Sequence, residues 1–298
     1  MRNANPSSSA SGQGARKQIT VVGAGTMGSG IAQLFAMAGW RTTLVDPMPG
    51  AVSAGVGRIE KAWQRDVSKG RASEPDVTEA RSRLQIEAEL EHAAGTADLI
   101  IEAIFEDRSA KLALFRRLSD LAPSGAVLAS NTSSISITEL AAVTVEPERV
   151  VGLHFFNPVA VLPLVEIVQG IQTSENTVER CRSLAEEVGK TAVVVRDAPG
   201  FVANRILMPM INEAIFCLSD GVADRDSIDA VMKLGMNHPI GPLALADLIG
   251  LDVCLQILEV LHHDFGDDKY RPAPLLRRMV AAGRVGRKAG RGFFEYDR

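Results

Sequence analysis

The chain has 298 residues, of which 46% are hydrophobic and 23% are charged, and its formal net charge is −4 at pH 7. This length suffices for one or two domains with a large apolar core. The acidic balance argues against nucleic acid as a partner, and no apolar run is long enough to cross a membrane. The three cysteines form no C-x-x-C pair, so we predict buried, reduced thiols and no metal site.

The first residues of the chain show no pattern of a folded element. Residues 1–17 are rich in Ser and Gly and have no apolar periodicity. They lack the hydrophobic core of a signal peptide and the apolar face of a transit peptide. We therefore predict a disordered tail over residues 1–17 and a cytoplasmic protein.

The next segment is typical of a dinucleotide-binding turn. Residues 18–22 favour a strand, G-A-G-T-M-G follows at 23–28, and a helical pattern begins at once. Gly23 permits the tight turn, Gly25 lets the backbone approach a pyrophosphate, and Gly28 lets helix and strand pack closely. The predicted cofactor-binding residues of the turn are Gly23, Ala24, Gly25, Thr26, Met27 and Gly28.

An acidic residue follows the turn at the expected distance. A second strand-like run over residues 41–45 ends at Asp46, eighteen residues after Gly28. Its carboxylate is suited to accept both ribose hydroxyls and would repel a 2′-phosphate, and Pro47 and Met48 offer no cation to relieve that repulsion. We predict NAD, not NADP, as the cofactor; a tight turn without a ligand is the alternative.

Beyond Asp46, helical and strand patterns alternate. Predicted helices cover residues 51–69, a stretch through 112–118 that stops at Pro123, and 174–189. Predicted strands cover residues 84–86, 97–104, 126–130, 149–153, 164–168 and 191–196. This alternation predicts an α/β fold, a Rossmann-like, doubly wound parallel sheet with helices on both faces.

The pattern changes at Pro199-Gly200. Leu207, Ile211, Ile215 and Leu218 line one face of a predicted helix that ends before Gly221, and further helices are predicted to start near 226–227 and after Gly241-Pro242. We predict an NAD-binding domain over residues 18–200 and a smaller all-α domain over residues 201–298.

Polar side chains at the carboxyl ends of the strands are the candidate site residues, because ligands bind there in such sheets. Glu102, Glu106 and Lys111 lie at or after the end of the fourth strand, and Ser133 lies in the segment after the fifth. His154 follows the sixth predicted strand, residues 149–153. Glu166 lies inside an apolar strand-like run, where a carboxylate is costly unless it is paired. His154 is its nearest candidate partner in the sequence.

Ser133, His154 and Glu166 permit two catalytic interpretations. A hydrolytic triad is one, but no G-x-S-x-G elbow surrounds Ser133 and a dinucleotide site occupies the same sheet. A general base for hydride transfer fits better, because an alcohol gives up hydride only as its O–H proton leaves, and histidine exchanges protons near neutral pH. A structural role for His154 is the alternative.

Several motifs in order resemble the (S)-3-hydroxyacyl-CoA dehydrogenases. They are S-N-T-S-S at 130–134, G-L-H-F-F-N-P at 152–158, L-V-E-I at 164–167, D-A-P-G-F-V-A-N-R at 197–205 and the closing G-R-K-A-G-R-G-F-F-E-Y. The resemblance covers residues 18–298. It implies NAD-dependent oxidation of a 3-hydroxyacyl-CoA, of the fatty-acid β-oxidation type, by a homodimer formed through the helical domain.

The resemblance also implies roles for single residues. His154 would be the general base and Glu166 its partner, and Ser133 and Asn204 would bind the substrate oxygens. Lys69 matches a position that contacts coenzyme A in some members, whereas a second such position, a serine in some members, is Ala62 here. Residues implied to line the NAD site besides the turn and Asp46 are Glu106, Lys111, Ser133, Asn157 and Lys288.

Three other functions stay open at this point. Two are enzymes, a 3-hydroxyadipyl-CoA dehydrogenase of aromatic catabolism and a gulonate-type sugar-acid dehydrogenase. The third is a non-catalytic NAD-binding protein. The combination of Ser133, His154, Glu166 and Asn204 argues against the third, and the substrate we favour is 3-hydroxybutyryl-CoA.

Overall fold

A computed structural model describes residues 17–297, and these residues form two compact units. The first unit contains residues 17–132 and 137–194, and the second contains Ser133–Ser136 and residues 195–297. The predicted tail lies outside the described residues except for Lys17, whose carbonyl oxygen accepts the Arg41 N–H at 3.1 Å.

One eight-stranded sheet organises the first unit. Its order is β3-β2-β1-β4-β5-β6-β7-β8, and every pairing from β3 across to β6 is parallel. The doubly wound α/β prediction is therefore confirmed. The strands are β1 (Gln18–Val22), β2 (Arg41–Val45), β3 (Leu84–Glu87), β4 (Leu99–Glu102), β5 (Val127–Ser130), β6 (Val150–Phe155), β7 (Leu164–Gln169) and β8 (Thr191–Arg196).

Strand β7 departs from the predicted parallel arrangement, because it runs antiparallel to β6. A parallel return needs a crossover of a dozen or more residues, and only residues 156–163 separate the two strands. Strand β6 is also longer than predicted and includes His154. This pairing aligns His154 with Glu166 in register.

Helices cover the sheet, and several begin at side chains that cap them. The Ser73 hydroxyl and the Asp76 carboxylate form a capping box at the start of the third helix, and Asp107 and Ser174 cap two later ones. The helices of the first unit are α1 (Thr26–Met37), α2 (Ala51–Ser68), α3 (Glu74–Arg83), α4 (Leu90–Ala94), α5 (Arg108–Leu121), α6 (Ile137–Ala142) and α7 (Glu175–Glu187), with a 3-10 turn at Pro147–Arg149.

The second unit is helical, as its 3.6-residue periodicity predicts. Ile211 and Ile215 lie in its buried core, and the partly buried Leu207 and Leu218 pack against that core. Its helices are α8 (Ala203–Ser219), α9 (Arg225–Ala230), α10 (Pro242–Ile249), α11 (Leu251–Phe265) and α12 (Pro274–Ala281), with a π-helical turn at Val231–Gly235 and 3-10 turns at Asp268–Tyr270 and Arg287–Ala289. No helix among the described residues is both long and apolar enough to span a membrane.

Two of the three predicted buried thiols, Cys181 and Cys254, are buried, whereas Cys217 is only partly buried. Burial raises the pKa of Cys181 and of Cys254 to about 12. Both side chains are therefore thiols rather than reactive thiolates near neutral pH.

Candidate active site

The glycine turn after β1 is tightly packed at Gly23 and at Gly28, as their predicted roles require. Gly23 has a φ of +106°, and a Cβ on it would lie 2.5 Å from the Ala103 carbonyl oxygen. A Cβ on Gly28 would lie 1.8 Å from the Gly23 carbonyl oxygen. At Gly25, by contrast, no heavy atom of residues 17–297 lies within 4 Å of the place a Cβ would take, apart from its own neighbours.

The start of α1 provides hydrogen-bond donors at the same place. Gly25 is the N-cap, and among the described residues no side chain caps this end of the helix. Gly25 and Thr26 are exposed. Uncapped N–H groups and the positive end of the helix dipole suit a pyrophosphate, and the open space at Gly25 suits its close approach. The turn therefore fits a dinucleotide.

Asp46 accepts two backbone hydrogen bonds that the sequence does not indicate. Its Oδ2 atom accepts the Ala24 N–H at 2.8 Å, and its Oδ1 atom accepts the Met48 N–H at 2.9 Å. The carbonyl oxygen of Ala24 accepts hydrogen bonds from Ser29 Oγ, at 3.0 Å, and from the Arg58 guanidinium. Hydrogen bonds thus fix both the N–H and the carbonyl group of Ala24. The sequence pattern indicates neither the Arg58 contact nor these bonds of Asp46.

A buried ionic cluster lies at the carboxyl ends of β4 and β5. The Lys111 ammonium, 1% exposed, contacts Glu102 Oε1 at 2.7 Å and Glu106 Oε2 at 3.0 Å. Glu102 Oε2 accepts the Ser130 hydroxyl at 2.5 Å, and Glu106 Oε1 accepts the Thr132 hydroxyl at 2.5 Å. Glu106 and Lys111 thus lie together. Glu102, a candidate by its place at the end of β4, is the third member, although the resemblance gives it no role.

His154 and Glu166 form the pair that the buried carboxylate predicts. Nδ1 of His154 lies 2.7 Å from Glu166 Oε2, and the two residues are 7% and 3% exposed. Since a carboxylate accepts, Nδ1 carries the proton in this bond and Nε2 is the basic nitrogen of the neutral ring. The Phe156 ring lies 4.6 Å from the imidazole, centroid to centroid. This arrangement can take up a proton and stabilise the resulting imidazolium.

Ser133 and Asn204 both belong to the second unit. The Asn204 amide donates to the Ser133 carbonyl oxygen at 3.2 Å. Three residues further along, the Ser136 hydroxyl donates to Asp197 Oδ2 at 2.7 Å. The short segment after β5 is therefore bonded to the residues that precede and begin α8.

Lys288 lies in the closing segment of the second unit. It is exposed and forms an ion pair with Asp252 at 2.6 Å. The buried carboxylate of Asp247 fixes this segment, because it accepts the N–H groups of Phe293 and Phe294 at 2.9 and 2.8 Å and the Tyr296 hydroxyl at 3.0 Å.

The other predicted site residues are at the surface of the first unit. Asn157 is exposed just after β6, and Lys69 is exposed at the end of α2. Ala62, on the same helix, is half-buried. Within residues 17–297 no group of three or more His, Cys, Asp or Glu side chains could hold a metal ion.

Comparison with known sequences gives one consistent result. Residues 18–198 match the family model for the NAD binding domain of 3-hydroxyacyl-CoA dehydrogenase, and residues 200–296 match the model for its C-terminal domain. The chain belongs to the 3-hydroxyacyl-CoA dehydrogenase family. It is an NAD-dependent oxidoreductase, and NAD is its cofactor.

Individual relatives of this dehydrogenase are similar over nearly their whole length. A protein of Bacillus subtilis named "Probable 3-hydroxybutyryl-CoA dehydrogenase" is 56% identical over 94% of this chain and 98% of its own. One of Deinococcus radiodurans with the same name is 49% identical over 93% of this chain and 99% of its own. The crystal structure of (S)-3-hydroxybutyryl-CoA dehydrogenase PaaH1 from Ralstonia eutropha has a TM-score of 0.91 at 46% identity, covering 95% of this chain and all of that one.

Proposed function

We propose that this dehydrogenase oxidises (S)-3-hydroxybutyryl-CoA to the 3-oxoacyl-CoA in short-chain acyl-CoA and fatty-acid metabolism in the cytoplasm. The buried His154–Glu166 pair, with 2.7 Å between Nδ1 and Oε2, is the observation that carries the proposal. The names of the relatives support the four-carbon substrate.

His154 is the proposed general base. Its Nε2 takes the proton of the C3 hydroxyl, and the charge that appears on the ring is stabilised by the Glu166 carboxylate at Nδ1. Burial strengthens this interaction, because little water screens the pair. NAD, when bound, supplies the acceptor for the hydride that leaves C3. In the reverse direction the same nitrogen returns the proton.

Ser133 and Asn204 are the proposed substrate contacts. Their hydroxyl and amide groups would hydrogen-bond the substrate oxygens and so orient C3 for the transfer. Lys69 is the proposed contact to coenzyme A, since its exposed ammonium suits a phosphate. With Ala62 in place of a serine, this part of the site has one side-chain donor fewer than in some members.

The cofactor contacts are proposed from the geometry of the first unit and from the resemblance. The turn from Gly23 to Gly28 would hold the pyrophosphate and Asp46 the adenosine ribose. Glu106 would accept a ribose hydroxyl on the nicotinamide side. Lys111, Ser133, Asn157 and Lys288 complete the proposed set.

A comparison of substrates tests the proposal. We expect kcat/KM to be highest for (S)-3-hydroxybutyryl-CoA among hydroxyacyl-CoA thioesters of four to ten carbons, 3-hydroxyadipyl-CoA and gulonate. A maximum of kcat/KM at 3-hydroxyadipyl-CoA would instead favour a role in aromatic catabolism. Oxidation of gulonate, with no inhibition by free coenzyme A, would replace the proposal by a sugar-acid dehydrogenase.

Replacement of Asp46 by asparagine is expected to lower the ratio of kcat/KM for NAD to that for NADP about tenfold. The amide keeps an oxygen that can accept one backbone N–H but loses the charge that repels a 2′-phosphate, and charged hydrogen bonds contribute about 1.5–3 kcal/mol. The measurement is the pair of specificity constants. Asp66→Asn, at the opposite end of α2, is the matched control and leaves the ratio unchanged. An unchanged ratio in Asp46→Asn would mean that Asp46 does not bind the adenosine ribose.

A homodimer formed through residues 201–298 is part of the proposal. Exposed apolar side chains, among them Val202 and Ile206 of which 49% and 69% are exposed, border a groove of about 1040 Å³ along α8. Covering them would remove apolar surface from water. Sedimentation equilibrium is expected to give twice the mass of the chain, and Ile206→Glu is expected to shift the species toward the monomer. A monomer in the unaltered protein at micromolar concentration would contradict this part.

A further inference from the structure

Glu102 is a buried carboxylate that the proposed mechanism does not use. It is the last residue of β4, and its side chain is fully buried. Burial raises the pKa of Glu102, and the ammonium of Lys111 opposes that rise. A carboxylate in such a place is stable only when its oxygens are bonded.

Its partners connect three segments at one end of the sheet. Oε1 accepts the Ile104 N–H at 2.8 Å as well as the Lys111 ammonium, and Oε2 accepts the Ser130 hydroxyl. Ser130 Oγ in turn accepts the Thr132 N–H at 3.2 Å. Glu102 therefore bonds to the loop after β4, to the helix α5 that follows it, and to the end of β5.

This end of β4 adjoins the glycine turn. Val22 is paired with Glu102 in the sheet, and the Ala103 N–H donates to the Val22 carbonyl oxygen at 2.7 Å. A Cβ on Gly23 would meet Ala103, the residue after Glu102. A change at Glu102 is thus transmitted to backbone that contacts the turn.

The ionic cluster reaches solvent through Glu106. Side-chain exposure is 0% for Glu102, 1% for Lys111 and 24% for Glu106. One ammonium is shared by two carboxyl groups, at 2.7 and 3.0 Å. Because part of the Lys111 ammonium is bonded to Glu102, it neutralises the Glu106 carboxylate less than it would if Glu102 were absent. The Glu106 carboxylate is therefore a stronger acceptor for a ligand hydroxyl.

We propose that Glu102 is a positioning residue for NAD, which acts through Lys111 on the Glu106 carboxylate. The proposal rests on the proposed cofactor role of Glu106. Glu102 itself does not touch the dinucleotide. It sets the place of the Lys111 ammonium and the share of its charge that Glu106 receives, and it fixes the ends of β4 and β5 through Ile104 and Ser130.

The test is the affinity for NADH of Glu102→Gln, measured by isothermal titration calorimetry. The amide has the same shape and its oxygen can still accept from Lys111, but it has no charge, so Glu106 is left as the only carboxylate beside the Lys111 ammonium. We expect the Kd for NADH to rise about tenfold, which is ~1.4 kcal/mol. The KM for NAD rises with it, while kcat at saturating NAD and the KM for the thioester change less than about twofold, since His154 and Glu166 are not touched.

A matched control separates positioning from loss of stability. Asp229 is likewise a buried carboxylate, 7% exposed, and it accepts the N–H groups of Leu243 and Ala244 at 2.9 and 3.0 Å. Asp229→Asn lowers the free energy of unfolding but is expected to leave the Kd for NADH unchanged. An equal rise of the Kd in both variants would make the effect of Glu102 a general loss of stability and overturn the proposal.

A double-mutant cycle tests whether Glu102 acts through Lys111. If it does, Glu102→Gln adds little to the NADH Kd of Lys111→Met, whereas independent effects multiply. Multiplication would overturn the proposal. Should Glu102→Gln fail to fold, Ser130→Ala removes one donor to Glu102 Oε2 and is expected to raise the Kd about threefold, roughly the worth of one hydrogen bond; an unchanged Kd would then overturn it.

The variant Glu106→Gln distinguishes a failure of the positioning role of Glu102 from a failure of the proposed cofactor role of Glu106. A raised Kd in Glu106→Gln with an unchanged Kd in Glu102→Gln would overturn the positioning role alone. An unchanged Kd in Glu106→Gln would instead remove Glu106 from the cofactor site and the present proposal with it.

Discussion

Replacement of His154 by glutamine is expected to lower kcat with (S)-3-hydroxybutyryl-CoA about a thousandfold, within the range that general bases contribute. Glutamine can still donate a hydrogen bond to Glu166, so the buried carboxylate keeps a partner and the fold is retained. It cannot accept a proton at the pH of the reaction. The rate is measured at saturating NAD and thioester, and the NADH affinity by calorimetry. The affinity is expected to stay within twofold.

A control variant makes this result specific. His262, on α11, contacts Asp268 at 3.3 Å and is partly exposed, so it offers a histidine–carboxylate pair outside the proposed site. His262→Gln is expected to turn over at the unaltered rate. If His154→Gln kept most of its turnover, the base would have to be another group, and the buried pair would be structural.

Replacement of Gly25 by alanine is expected to weaken NADH binding ten- to a hundredfold without loss of stability. The backbone at Gly25 has φ −66°, which alanine adopts readily, and none of the atoms described around it lies within 4 Å of the added methyl group. The methyl group would occupy the space proposed for the pyrophosphate, and overpacking of this size costs about 1–3 kcal/mol. Calorimetry with NADH and the midpoint of thermal unfolding are the two readouts.

Gly57→Ala is the matched control for this variant. Gly57 lies in the interior of α2 and is exposed, and apart from its neighbours and the backbone of its own helix no heavy atom of residues 17–297 lies within 4 Å of the added methyl group. Alanine there is expected to stabilise the helix by ~0.5–1 kcal/mol and to leave NADH binding unchanged. Equal NADH affinity in Gly25→Ala and in the unaltered protein would mean that the dinucleotide does not approach the turn at Gly25.

The sequence predicts those parts of the site that depend on local order. The strand, glycine turn, helix and acidic residue follow one another along the chain, so the place of Asp46 could be predicted from their spacing. A carboxylate in an apolar strand also predicted a partner for Glu166, and His154 lies opposite it across β6 and β7. The family resemblance supplied the remaining residues.

The missed features depend on contacts between distant segments. Glu102 carries the same signal as Glu166, a carboxylate in an apolar run, but its partners Lys111 and Ser130 are reached through a helix and a neighbouring strand. The antiparallel direction of β7 follows from the short loop after β6. The hydrophobic periodicity of single strands predicts where they lie but not the direction in which neighbouring strands run. The hydrogen bond from Arg58 to the glycine turn likewise exists only once α2 has packed on it.

The most direct test of the proposed reaction is the initial rate of NADH formation with (S)-3-hydroxybutyryl-CoA and NAD. The rate is measured beside the free (S)-3-hydroxy acid and beside NADP in place of NAD. The proposal predicts a rate confined to the thioester with NAD, and its loss in His154→Gln. Clear NADH binding without turnover of any hydroxyacyl thioester would contradict it.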